Sequence, residues 1–140
     1  MNKLLVAVDG SEPSIRAARF AAELAKGQSA QLTLVYVVAP FPIVPGDLPV
    51  GVDELNQSME KFGQKVLREA QDALGGGTLK VDARLLHGHP ATEIDALAKQ
   101  EGYGLIAVGS RGGGGLARLL LGSVADRLVR TAETPVVVVH

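Results

Sequence analysis

Leu4-Leu5-Val6-Ala7-Val8-Asp9-Gly10-Ser11-Glu12-Pro13 decides how the rest of this chain is read. The run from Leu4 to Val8 is apolar at successive positions and β-branched at Val6 and Val8, the pattern of a strand buried on both faces. Asp9-Gly10-Ser11 then supplies turn residues. Ser11 or Glu12 suits the start of a helix, with Pro13 in its first turn. Ile15, Ala18, Ala22 and Ala25 follow at helical spacing, and Gly27 is a natural stop. A buried strand running into a helix is the first half of a βαβ unit.

Working outward, the alternation continues to the end of the chain. Gln31 to Val38 reads as a second strand. A loop with Pro40, Pro42, Pro45 and Pro49 follows, long enough to be functional. From Asp53 the spacing of Leu55, Met59, Phe62, Val66, Ala70 and Ala73 predicts a second helix facing inward through those residues, closed by Gly75-Gly76-Gly77. Leu79, Val81, Ala83 and Leu85 alternate with polar residues, predicting a third strand with one face in polar surroundings. Pro90 opens a third helix with Ile94, Leu97 and Ala98 inward, closed by Gly102. Leu105 to Val108 is a fourth strand. A Gly-rich loop from Gly109 to Gly115 leads into a last helix within Leu116 to Ala132, and Pro135 to Val139 is a fifth strand. The order βαβαβαβαβ implies a parallel sheet with helices on both faces, because parallel strands need crossovers. One α/β domain spanning residues 1–140 is expected, without repeats.

Composition narrows the function. Fourteen Lys and Arg stand against 15 Asp and Glu, so the basic excess typical of bulk nucleic-acid binding is missing. With no Cys, disulfides, thiolate catalysis and Cys-ligated zinc are excluded. The N-terminal apolar run is too short for a signal-peptide core and is not followed by a cleavage site. No apolar run approaches the roughly 20 residues needed to span a membrane. A cytoplasmic protein is expected, with neither nucleic acid nor membrane as partner.

Ligands of open α/β sheets bind beyond the carboxyl ends of the strands, where strand order reverses. Three segments can supply that edge: Asp9-Gly10-Ser11, Val37-Val38-Ala39 and the loop from Gly109. The third reads Gly109-Ser110-Arg111-Gly112-Gly113-Gly114-Gly115 and continues to Gly122-Ser123-Val124. Glycines let backbone N–H groups approach a ligand and form an anion-binding nest. A helix beginning near Gly122 would point its free N–H groups at the same place, and Ser123 adds a hydroxyl. Residues 109–130 carry Arg111, Arg118, Arg127 and Arg130 against Asp126 alone. Charge-assisted hydrogen bonds contribute ~1.5–3 kcal/mol each. Three or four, less ordering costs, hold a phosphate chain at roughly micromolar affinity, about −8 kcal/mol. The competing reading is a Gly linker beside a solvated Arg face; the position after a buried strand favours the binding loop.

Other motifs fail. No Lys precedes Ser123, so there is no P-loop. Gly112-x-Gly114-x-x-Ala117 loosely matches a dinucleotide fingerprint. It follows the fourth strand and no acid closes a strand about 20 residues on, so neither nicotinamide nor flavin is expected. His87-x-His89 lacks a third ligand for zinc, and Gly88-His89-Pro90 reads as the turn that opens the third helix. No G-x-S-x-G elbow occurs. Asp9 is either a turn residue or an acceptor for ribose hydroxyls or an adenine amino group, or a metal ligand through water.

Gly109-x-x-Gly112, nine residues, then Gly122-Ser123 is similar to the G-x-x-G-(nine)-G-[S/T] nucleotide signature of the universal stress protein family. Val6 to Ser11, Val35 to Val38, Gly88-x-Pro90 with Glu93-Ile94, Val108 to Gly112 and Pro135 to Val138 resemble the family's other landmarks. The resemblance covers residues 1–140 and implies a three-layer sandwich whose five-stranded parallel sheet is ordered 3-2-1-4-5. It implies ATP with Mg²⁺ or Mn²⁺ at the phosphates. Asp9 and Val37 would frame adenine and ribose. Val108 and Gly109 would pass under the nucleotide. Arg111, Gly112, Gly122, Ser123 and Val124 would hold ribose and phosphates. Gly113-Gly114-Gly115 departs from binders, which often have bulkier or polar residues there. An apolar edge at Val136 to Val139 is an association hazard unless paired. Family members pair it across a two-fold axis, implying a symmetric homodimer. The expected function is a nucleotide-binding stress-response module. The alternatives are a slow ATP-hydrolysing enzyme, for which no base stands out, and a dimerisation module that binds no nucleotide.

Overall fold

The computed structural model describes residues 2–40, 51–111 and 120–140. Nine elements alternate: β1 (Lys3–Ala7), α1 (Glu12–Gln28), β2 (Gln31–Val38), α2 (Val52–Ala73), β3 (Val81–His87), α3 (Pro90–Gln100), β4 (Leu105–Gly109), α4 (Ser123–Thr131) and β5 (Val136–Val139). The strands form one parallel sheet ordered β3-β2-β1-β4-β5, as expected. β1 is central. The chain builds outward from it to β3, then returns and builds the other way through β4 and β5, so the order reverses between β1 and β4.

The alternation of side chains along β1 separates two cores. Leu4, Val6 and Val8 join Ala17, Ala21, Leu34 and Val66 on the α1–α2 face. Leu5 joins Val35, Ile94, Ile106, Val108 and Leu128 on the α3–α4 face. Both faces of β1 are therefore dry, which is why its sequence is a continuous apolar run. The buried Thr33 hydroxyl sits between the layers and accepts the Tyr103 phenol at 2.9 Å, satisfying both groups. No described helix is long and apolar enough to cross a membrane.

Four local expectations shift. α1 runs through Gly27 and stops at Ser29, which adopts a left-handed conformation (φ 53°) and donates its backbone N–H to the Ala25 and Lys26 carbonyls. On α2 the buried face is Gly63, Val66, Leu67 and Ala70, while Phe62 is 52% exposed. A Cβ on Gly63 would lie 2.6 Å from the Tyr36 ring and 2.7 Å from Leu85. The helix thus approaches the sheet through a residue that hydrophobic periodicity does not count. β3 begins at Val81, two residues later than its alternation suggests; Ala83 is exposed, as an edge strand permits. α4 starts at Ser123, so Leu120 and Leu121 precede the helix. Most of the Pro-rich loop, with Pro42, Pro45 and Pro49, and the Gly112 to Gly115 run lie outside the described residues.

Two glycines separate space from propensity. A Cβ on Gly109 would sit 2.7 Å from both the Pro13 carbonyl carbon and the Ser14 nitrogen, backbone atoms that cannot swing away. Gly27, inside α1, has nothing within 4 Å. Gly109→Ala is expected to lower unfolding free energy by about 1–3 kcal/mol through overpacking. Gly27→Ala is expected to raise it by up to about 1 kcal/mol through helix propensity. Urea midpoints of the two variants should move in opposite directions.

Candidate functional site

Three strand ends and one helix start converge at the reversal point. β1 leads to Asp9, whose Oδ1 accepts from the Ser11 backbone N–H at 2.9 Å and from the Ser11 hydroxyl. Ser11 caps α1 by accepting from the Ser14 N–H, and the buried Ser14 hydroxyl donates to the Ser11 carbonyl at 2.9 Å. The Asp9 N–H donates to the Ser14 hydroxyl in turn. Gly10, at φ 88°, makes the sharp bend that this turn requires. The two readings of Asp9 are compatible: Oδ1 holds the turn, while Oδ2 has no hydrogen bond to a described residue.

β4 supplies the opposite wall. Because Gly109 has no side chain, its strand end lies directly on the first turn of α1. Beyond it the Ser110 N–H donates to the Val139 carbonyl at 2.8 Å, and the Gly122 N–H donates to the Ser110 carbonyl at 2.7 Å. The second bond pins both ends of the Gly-rich segment together and sets the start of α4. Gly122 occupies the N-cap position with no side-chain cap. The first N–H groups of a helix have no partner within it, and those of Ser123, Val124 and Ala125 have none among the described residues.

These segments enclose a cleft of about 650 Å³, counting its open mouth. Its apolar walls come from Val37, Pro90, Ile94, Val108, Val124 and Ala125. Its polar lining comes from Asp9, Ser14, Tyr36, Arg111, Gly122 and Ser123, and the Ser11 hydroxyl links the Asp9 carboxylate to the Arg111 carbonyl, 3.4 Å away. An apolar slot whose lining includes an arginine and the first turn of a helix fits a planar, largely apolar group carrying an anion. Every described residue of the expected set (Asp9, Val37, Val108, Gly109, Arg111, Gly122, Ser123, Val124) lines this cleft. Gly112 lies outside the described residues.

The charge distribution differs from the sequence reading. Of the four arginines grouped near the loop, Arg111 lines the cleft. Arg130 pairs back onto Asp126 of its own helix, its Nε 3.1 Å from both carboxylate oxygens. Arg127 lies in a neighbouring depression between α3 and α4, and Arg118 is outside the described residues. Linear proximity overstated the cluster because a helix turns alternate residues away from the site. His87 and His89 also part company. His87 Nε2 lies 2.8 Å from Glu60 on α2, and His89 is the N-cap position of α3. No group of three or more metal-ligating side chains occurs among the described residues.

Sequence reasoning missed Tyr36, Pro90, Ile94 and Ala125 as lining residues. The available signal was positional: each lies at a strand end or in the first turns of a helix facing the reversal point. Tyr36 also meets Phe62 edge-on, with ring centres 6.0 Å apart.

A parallel sheet with this reversal and this cleft defines a doubly wound α/β domain with a candidate binding cleft at its switch point. The chain belongs to the universal stress protein family, whose sequence profile matches residues 1–140. It is 35% identical to the universal stress protein YxiE of Bacillus subtilis, the match covering 99% of each chain. The structure of the universal stress protein UspA from Lactobacillus plantarum superposes with a TM-score of 0.86 at 26% identity, covering 99% of this chain and 97% of that one. A universal stress protein solved in complex with cAMP superposes with a TM-score of 0.74 at 30% identity, covering 99% and 97%.

Burial foremost, and then the nearby Asp9 carboxylate, push the Tyr36 phenol above its ordinary value of 10.0. A phenol whose folded pKa exceeds its unfolded one stabilises the fold fully below pH 10, and that stability is lost as pH rises through the folded value. Titration by absorbance at 295 nm should therefore show a phase from Tyr36 above the ordinary phenol range. Tyr36→Phe should remove that phase and flatten the loss of stability at alkaline pH.

Proposed function

We propose that this chain binds an adenine nucleotide, ATP with Mg²⁺ or Mn²⁺ at the phosphates, and works in the cytoplasm as a stress-response regulatory module and symmetric homodimer. The observation that carries the reading is the cleft itself, an apolar slot lined by both Asp9 and the first turn of α4. The base would lie between Val37 and the Val108–Gly109 strand end, with Asp9 beside the ribose or the amino group. The phosphates would meet Arg111, Ser123 and the α4 amides, where a helix start favours anions. The relative in complex with cAMP supports a purine nucleotide as the ligand class.

The metal fits as a companion of the phosphates. Mg²⁺ commonly keeps waters and takes phosphate oxygens with one or two protein groups, so it needs no dedicated cage. Asp9 is the one carboxylate among the described lining residues, and one of its oxygens is committed to Ser11. Phosphoryl transfer to water needs a positioned nucleophile as well as charge stabilisation. The lining therefore favours a binding module over a hydrolase.

β5 hydrogen-bonds to β4 along one edge, and its four valines are half-buried. A second copy would pair the other edge and remove an association hazard.

Calorimetry with ATP and Mg²⁺ should give roughly micromolar affinity. A folded Gly122→Val, Ser123→Ala double variant should lose it. Absence of binding by folded wild type would overturn the nucleotide reading. Sedimentation at micromolar concentration should give a dimer, and a monomer there would overturn the pairing.

A further inference from the structure

The cleft does not end at α4. A second depression of about 390 Å³ adjoins it, and the two share Pro90, Ser123 and Val124. It lies between the first turns of α3 and α4 and is lined on its far side by His89, Thr92 and Arg127. Ser123 and Arg127 are four residues apart, so they stand on one face of α4 about one turn, or ~6 Å, from each other. Arg127 makes no ion pair and no side-chain hydrogen bond with any described residue. Its helix neighbour Arg130 is tied to Asp126 instead. A cation with no partner among the described residues thus stands one turn beyond the hydroxyl at which the cleft meets this depression.

We propose that Arg127 is a specificity-determining residue that reads the distal phosphates of the bound nucleotide. The inference rests on the nucleotide reading of the cleft and extends it. A phosphate beside Ser123 and the α4 amides is held by contacts that any adenine nucleotide can make. A chain that continues over Ser123 enters the second depression and meets a guanidinium, which suits phosphate by its planar set of donors. A monophosphate or cyclic monophosphate has no group that reaches there. The site then distinguishes nucleoside triphosphates from monophosphates by one residue outside the cleft.

The test is calorimetric titration of wild type, Arg127→Ala, Arg127→Lys and Arg130→Ala with AMP, ADP and ATP, in Mg²⁺, with urea midpoints measured alongside. Arg127→Ala should weaken ATP roughly tenfold, the worth of one charge-assisted hydrogen bond, and leave AMP within about twofold. Arg127→Lys should recover part of the loss, and Arg130→Ala should change neither ligand. Unfolding midpoints should stay put, since the Arg127 side chain makes no hydrogen bond or ion pair with a described residue and only its carbonyl, which the variants keep, accepts from Thr131. Equal loss of AMP and ATP affinity, or no change in either, would overturn the role of Arg127 while leaving the nucleotide site standing. A wild type that binds none of the three would overturn both.

Discussion

The site depends on one close approach. At the end of β4, Gly109 lets the strand lie directly on the Pro13–Ser14 backbone in the first turn of α1. Interiors pack at crystal-like density, so a single methyl here has nowhere to go. The contact fixes the distance between the two chain segments that flank the reversal of strand order. On one side it seats Asp9, through the Ser11 and Ser14 hydrogen bonds that also cap α1. On the other it delivers Ser110, whose carbonyl receives the Gly122 N–H and so places the start of α4. The glycine's structural duty and its place in the cleft lining arise from the same missing side chain.

Electrostatics at the cleft owe less to net charge than to directed groups. The chain is nearly neutral, and of the arginines near the loop in sequence one lines the cleft while another is neutralised by Asp126. Beside Arg111 and Asp9, the cleft offers the backbone amides that begin α4, which have no partner among the described residues. Such groups cost no side-chain entropy to hold in place, and exposed ion pairs contribute little after screening. Backbone geometry therefore shares with Arg111 whatever positive field the cleft presents.

How much of this the sequence discloses depends on where the physical cause is local. β1, β2 and β4 are legible because burial on both faces leaves an uninterrupted apolar run, and the starts of α1 and α3 because Ser11, Pro13 and Pro90 act within a single turn. Phe62 misleads because periodicity counts hydrophobic mass, whereas α2 approaches the sheet through Gly63, a choice set by the Tyr36 and Leu85 side chains of two distant strands. The same holds at the site. Asp9, Val37 and Gly109 sit at strand ends that topology alone directs to the cleft. Tyr36, Pro90 and Ile94 join them through packing between elements far apart in sequence. The orientation of Arg127 and Arg130 is set by helical phase, which a charge count along the chain does not resolve.

The placement of β5 gives the edge of the sheet a stake in the cleft. Ser110 is the residue they share: its N–H is held by Val139 at the end of β5, and its carbonyl holds Gly122 at the start of α4. Two backbone hydrogen bonds, of 2.8 and 2.7 Å, thus span from the outermost strand to the amides at the polar end of the cleft. The Ser110 side chain is buried and its hydroxyl has no hydrogen-bond partner among the described residues, so among these its position is set by those two backbone bonds and by packing. Leaving a buried hydroxyl unpaired costs stability. That cost is tolerated where the backbone leaves no other place for the residue. A strand at the sheet's edge is ordinarily its most easily displaced element. Here any displacement of β5 along its axis must either break the bond to Ser110 or carry the start of α4 with it.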